Sequence, residues 1–266
     1  MIIQLTHRTL LKLTGSEVQG FLQGQLSNDI NALEEGVVQL NAYCQHQGKI
    51  MTLIWVMKRT DEYYLSFPKS LSAEIVKKLT MFKMMSDVTI KDITNELLQF
   101  GVVDEAVDGA FVINGQQSIV LVDSNNEFKL SDESEWEAVC IANEMPEVEL
   151  ATVEKFVPQL LNLDIDEVGV NFSKGCYPGQ EVVARLHYLG KSKRRMRAFE
   201  CDGEIEVGDE LLVASSASAK ASGIVVRRVK LNSKSLCLAT VEIAYEDDEI
   251  TLNNSQKTKL TRIHND

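Results

Sequence analysis

Proline is scarce in this chain, at 4 in 266 residues, and no repeat or low-complexity stretch occurs. With 15 glycines and 44% hydrophobic residues, nothing marks the chain as fibrous or disordered. CxxC pairs are absent too. The five cysteines (Cys44, Cys140, Cys176, Cys201 and Cys237) are odd in number and widely spaced, which argues against a disulfide scaffold, a zinc ribbon or a self-contained iron–sulfur protein. His46 and His187 lack metal-ligand spacing, so no metal site is expected. Long apolar runs are also missing: Ile50–Met57 is far too short to span a bilayer. The opening MIIQLTHRTLLKLTG alternates apolar with polar residues and carries no secretory cleavage pattern. A cytoplasmic protein is expected, with most thiols acting as small buried hydrophobes.

What the chain does have is negative charge. A formal net charge of −12 repels phosphate backbones, so direct strong nucleic-acid binding is not expected. The dense positive run Lys191, Lys193, Arg194, Arg195 and Arg197 is the exception. It reads either as a solvated linker or as a local anion site.

The patterning predicts an α+β fold. A strand is expected over residues 2–13, then a helix carrying Val18, Phe21, Leu22 and Leu26 at helical spacing. Val37–Cys44 and Lys49–Met57 read as a hairpin about Gln45-His46-Gln47-Gly48, followed by a strand at Tyr63–Phe67. Leu71, Ile75, Val76 and Leu79 mark a second helix. Short strands are expected at Val88–Ile93, Gly101–Val103, Ala110–Ile113 and Ser118–Val122. A third helix from Ser131 carries Trp136, Val139, Cys140 and Asn143 on one face and stops near Pro146. Beyond Lys191, β-branched runs separated by Gly, Asp, Asn and Ser predict a small antiparallel β-barrel. The boundary is expected near residue 190, giving an α+β region of two interleaved lobes (1–190) and a barrel domain (191–266).

One stretch stands apart, Asn171-Phe172-Ser173-Lys174-Gly175-Cys176-Tyr177-Pro178-Gly179-Gln180-Glu181-Val182-Val183-Ala184-Arg185. It reads as a loop turning into a helix, with Gly175 and Gly179 for tight backbone geometry and Pro178 at a first helical position. Glu181 and Arg185 stand four apart, in the favourable order for a surface pair. Cys176 then lies at or just before a helix N-terminus, where free N–H groups, aided by Lys174, favour a thiolate. Such a thiol is a nucleophile, a redox handle or a metal ligand; the competing reading is a structural cysteine in a tight turn.

Lys174 to Glu181, KGCYPGQE, resembles the signature octapeptide of the YgfZ-type folate-binding family, relatives of the glycine-cleavage T-protein. Residues 21–30 (FLQGQLSNDI) resemble that family's early helix-and-turn motif, and residues 44–49 (CQHQGK) its hairpin. Pro158-Gln159-Leu160 with Asn162-Leu163 resembles its approach to the octapeptide; Val183-Ala184-Arg185, Gly190 and Arg194-Arg195 resemble its exit. The similarity spans most of the chain. It implies a three-lobed T-protein-like fold holding tetrahydrofolate or a one-carbon derivative. It also implies a role sustaining iron–sulfur enzymes, including one that methylthiolates tRNA, with Cys176 as the required thiol. Trp136 is implied as a folate contact, against the plain reading of a core tryptophan, and Tyr177, Gln180, Glu181 and Arg185 as further contacts. Arg8 takes the place of a second folate-contacting tryptophan and can stack on a planar ring. The basic run, with Arg185, would then receive the glutamate tail. A folate-dependent aminomethyltransferase is the alternative, but Lys49-Ile50-Met51-Thr52-Leu53 lacks the acidic pair that T-proteins carry after the glycine turn. A cysteine hydrolase or oxidoreductase would want a histidine or resolving cysteine near the thiol, and neither is identifiable.

Overall fold

The centre of the molecule is β4 (Ile50–Arg59), whose first eight residues are all buried. A strand covered on both faces needs apolar side chains on both, and so loses the alternation of a surface strand. Ile54 and Val56 pack into a core with Val18 and Leu22 of α1 (Val18–Gln23) and Ile75 and Leu79 of α2 (Ser72–Phe82). Trp55 and Met57 face a second core, which holds Trp136 and Cys140 of α3 (Glu133–Ala142). The structure, a computed structural model, describes residues 1–123, 128–190, 192–215 and 221–264.

Three antiparallel units result. β3 (Val38–Cys44), β4, β5 (Glu62–Pro68), β2 (Arg8–Thr14) and β6 (Thr89–Asp92) form a five-stranded sheet in that order. β1 (Ile2–Gln4), β7 (Leu97–Val103), β9 (Gln117–Asp123) and β8 (Phe111–Val112) form a four-stranded sheet in that order. The strand expected over residues 2–13 is therefore two strands in two sheets, broken by a turn at Thr6-His7. The alternation of apolar residues is the same on either sheet, and no Gly or Pro marks the break. Between the sheets, Trp136 approaches β7 so closely that a Cβ on Gly101 would come within 2.5 Å of the indole. Only glycine leaves room for that contact.

The C-terminal strands close as predicted. β10 (Arg194–Cys201), β13 (Lys234–Glu242), β12 (Gly223–Leu231), β11 (Glu210–Val213), β14 (Ile250–Leu252) and β15 (Lys259–Arg262) form a barrel in that order. Its interior is filled by Phe199, Leu211, Val225, Cys237, Val241 and Leu252. Met196, Ala198 and Val226 on the outside pack with Ile141, Leu163 and Val170, so the barrel is docked through its own apolar face. α4 (Gln180–Leu189) lies just before it. No helix among the described residues is long and apolar enough to cross a membrane.

Candidate functional site

The octapeptide loop is held by three sequence-distant segments. Lys174 is buried, and its ammonium donates to the carbonyls of Gln23 (2.8 Å), Leu26 (2.5 Å) and Asn28 (2.8 Å). Those carbonyls belong to the last residue of α1 and the turn after it, which is itself pinned. Asn28 donates to the carbonyls of Leu40 and Val168, and the Ser27 hydroxyl donates to the Gly169 carbonyl. On the other side the hairpin meets the loop glycine to glycine. A Cβ on Gly179 (φ 84°) would lie 2.5 Å from the Gln45 carbonyl oxygen and 2.7 Å from the Gly48 Cα. Further on, Gln159 donates to the Val183 carbonyl (2.8 Å) and fixes α4 from below. The early motif, the hairpin and the approach segment thus converge on one loop.

That loop presents Cys176 to solvent, whereas Cys44, Cys140, Cys201 and Cys237 are all buried. Burial pushes the Cys44 thiol up to about 12 and the Cys140 thiol up to about 11, and raises those of Cys201 and Cys237 as well. Two expectations about the loop need correcting. α4 begins at Gln180 behind Gly179, so Pro178 is not its first residue and Cys176 lies four residues ahead of the helix. Lys174 does not serve as a loose cation beside the thiol, because its three donors are taken up by backbone carbonyls; burial in turn lowers its pKa to about 8. Gly175, by contrast, has nothing within 4 Å of where a Cβ would stand. The fold leaves open space beside Cys176.

A cavity of about 480 Å³ opens between the first hairpin and the second sheet. Trp55, Leu40 and Met145 give it apolar walls, and Gln39, Asn114 and Asn143 supply amides, with Glu34 as its one carboxylate. Asn114 and Asn143 both donate to Gln117 Oε1 (2.9 Å each), so their side chains are held in place. Single asparagines and glutamines carry no sequence pattern: Asn143 reads only as part of a helix face, and Gln39 and Asn114 give no signal.

The two residues expected to clamp a ring are placed otherwise. Trp136 is fully buried between the sheets, edge-on to Trp55 with ring centroids 6.2 Å apart. Arg8 is 1% exposed, stacks 3.6 Å over the Trp55 ring, and pairs with Glu147 (2.5 Å) and Ser66 (2.8 Å). Both side chains are buried in this structure, Trp136 with its indole Nε1 unpartnered, and Arg8 backs the cavity wall by supporting Trp55. The other expected contacts line neither this cavity nor a second one described below. Tyr177 is buried under Lys174, and Gln180 is half-buried at the start of α4. Glu181 and Arg185 are exposed on α4, and their expected pair is not among the ion pairs of the described residues.

Three arginines of the basic run are paired within the fold. Arg194 pairs with Glu242 (2.9 Å), Arg195 with Asp164 (2.5 Å) and Arg197 with Glu246 (2.7 Å); Lys191 lies outside the described residues. His187 stacks on Phe172 with ring centroids 3.7 Å apart. Among the described residues no group of three or more His, Cys, Asp and Glu is placed to hold a metal ion.

Comparison with known proteins agrees with this architecture. The fold is that of the T-proteins: the structure aligns with the glycine cleavage system aminomethyltransferase T of Bartonella henselae at a TM-score of 0.73, over 99% of this chain and 84% of that one, at 10% identity. In sequence, the tRNA-modifying protein YgfZ of Vibrio atlanticus is 30% identical over 223 residues, 74% of this chain and 68% of the relative. That of Photorhabdus laumondii is 26% identical over 275 residues, 90% of this chain and 83% of the relative. An uncharacterized protein of Haemophilus influenzae is 30% identical over 239 residues, 86% of this chain and 85% of its own length. No family model matches the chain. The chain belongs to the YgfZ family of tRNA-modifying proteins.

Proposed function

We propose that the protein is a folate-binding accessory factor for iron–sulfur enzymes that modify tRNA, a methylthiolating enzyme among them, and that it acts in the cytoplasm through the Cys176 thiol. One observation carries the reading: of five cysteines, Cys176 alone is exposed, on a loop fixed by three separate segments. A thiol so placed is available to a partner protein without unfolding. α4, which follows it, carries Arg185, Tyr188 and Leu189 exposed to solvent. The acidic chain supports work on a tRNA-modifying enzyme rather than on the RNA itself.

Tetrahydrofolate or a one-carbon derivative fits the Trp55 cavity by the chemistry of its lining. A bicyclic pterin needs flat apolar walls and a hydrogen-bonding edge. Leu40, Met145 and Trp55 would take its faces, and Gln39, Asn114, Asn143 and Glu34 its donors and acceptors. When bound, the folate supplies a carrier for a one-carbon unit. Aminomethyl transfer is disfavoured because Met51, Thr52 and Leu53 occupy the start of β4, where a carboxylate pair would be required.

The test is Cys176→Ala, scored for unfolding and for client-enzyme activity in cells lacking the native protein. The expected outcome is a stability change of about 1 kcal/mol or less with loss of rescue. A folded Cys176→Ala protein that restores full activity would overturn the reading.

A further inference from the structure

Behind the Arg8–Glu147 pair lies a second cavity, of about 690 Å³, where β5, α3, the segment after α3 and the barrel meet. Five carboxylates line it, those of Glu133, Glu137, Glu147, Glu149 and Glu206. Three have cationic partners within the wall. Arg227 grips Glu137 with two bonds (2.7 and 2.8 Å), Arg228 holds Glu206 (3.0 Å) and His7 meets Glu133. Glu147 and Glu149 are different. Glu147 is 4% exposed; Arg8 takes its Oε2, while its Oε1 is buried with no hydrogen-bond partner. The Glu149 carboxyl is held above its usual range by burial first, then by the charges of Glu147 and Glu137. Lys69 joins Arg227 and Arg228 in the wall, so its five carboxylates face three lysine and arginine cations, and Glu147 Oε1 is the acceptor left without a partner.

We propose that this cavity binds a small organic cation, an amine or guanidine whose N–H groups are received by Glu147 and Glu149. A bare metal ion suits it less well, since no metal-holding group occurs among the described residues and the space far exceeds one ion. Pro68, Ala151 and Val207 in the same wall offer apolar surface to methylene groups. The site is separate from the Trp55 cavity and does not depend on the folate reading. The two share a wall, because Arg8 touches Glu147 on one side and Trp55 on the other. Trp55 fluorescence should therefore respond to an occupant.

The experiment is calorimetric and fluorescence titration of the full chain with putrescine, agmatine and spermidine. We expect one saturable site per chain for at least one of them, accompanied by a fluorescence change. Glu149→Gln should weaken it about tenfold or more, by removing a charge from a partly desolvated site. Ser70→Lys, which adds a cation at an exposed wall position, should weaken it similarly. Glu204→Gln, remote on an exposed barrel pair with Lys230, should leave it unchanged. The proposal is overturned if no saturable binding occurs, or if affinity survives both wall variants, as diffuse attraction to an acidic protein would. Displacement of the amine by 5-formyltetrahydrofolate at the same stoichiometry would also overturn it, by making this cavity the folate site.

Discussion

Two of the buried cations hold this molecule together in opposite ways. Arg8, between the sheets, is matched by a carboxylate: Glu147 takes its Nη1, and Ser66 takes its Nε and Nη2. Lys174, under the octapeptide, is surrounded by three neutral carbonyls. A guanidinium stays charged at any accessible pH, so its burial is answered by a fixed counter-charge. An ammonium is a point charge that titrates when desolvated, and carbonyl dipoles suffice to hold it. The junction of the lobes is thus built on charge pairing, and the thiol loop on backbone solvation of one cation.

The largest expected effect comes from unbalancing the junction. Arg8→Met leaves the Glu147 carboxylate buried without its partner and should cost about 3–5 kcal/mol in urea unfolding. Adding Glu147→Gln should recover much of that loss, because the penalty lies in the orphaned charge. If the double variant is no better than the single one, the pairing account of the junction fails.

Lys174→Met should cost less, about 2 kcal/mol, since it removes charge-assisted bonds but leaves no carboxylate stranded. Its pH dependence separates the two regions. Burial lowers the folded-state pKa of Lys174 to about 8, while the unfolded chain keeps a value near 10.5. Between these values the unfolded state binds more protons, so the Lys174 contribution to stability rises with pH. Wild type should therefore gain on Lys174→Met between about pH 8 and about pH 10. Arg8 variants should show no such slope. A flat difference for Lys174 would mean that its ammonium is far better solvated than the three carbonyls imply.

How much of this was legible in the sequence follows from the same contrast. The barrel, the hairpin and the helices leave periodic patterns and appear close to where the patterns put them, except that α1 ends at Gln23 and Leu26, expected on its face, bridges to Tyr43 instead. KGCYPGQE marked the loop, but not why its residues are needed. Lys174 reads as a cation near a thiol, and nothing local shows that its partners lie 146 to 151 residues away. Arg8 reads as a cation able to stack on a bound ring, because its partner Glu147 is 139 residues distant. Trp136 on an apolar helix face looks the same whether it meets a ligand or Gly101. Long-range partners decide these roles, and periodicity carries no record of them.

The finest discrimination lies within the loop itself, between its two glycines. Gly179 has a left-handed backbone and would drive a Cβ into the Gln45 carbonyl oxygen at 2.5 Å, so Gly179→Ala should cost about 1–3 kcal/mol. Gly175 has open space around it, so Gly175→Ala should stay within about 0.5 kcal/mol of wild type. Thiol labelling then reports whether the platform is intact. In native wild type, iodoacetamide at neutral pH should modify Cys176 well before the four buried cysteines, whose thiols are both covered and, by burial, harder to ionise. Gly175→Ala should keep that selectivity. Gly179→Ala, by freeing the loop from the hairpin, should expose Cys44, which lies at the end of β3 beside the turn that Gly179 covers. Equal labelling of Cys44 and Cys176 in native wild type would refute the rigid platform, whatever the glycine variants do.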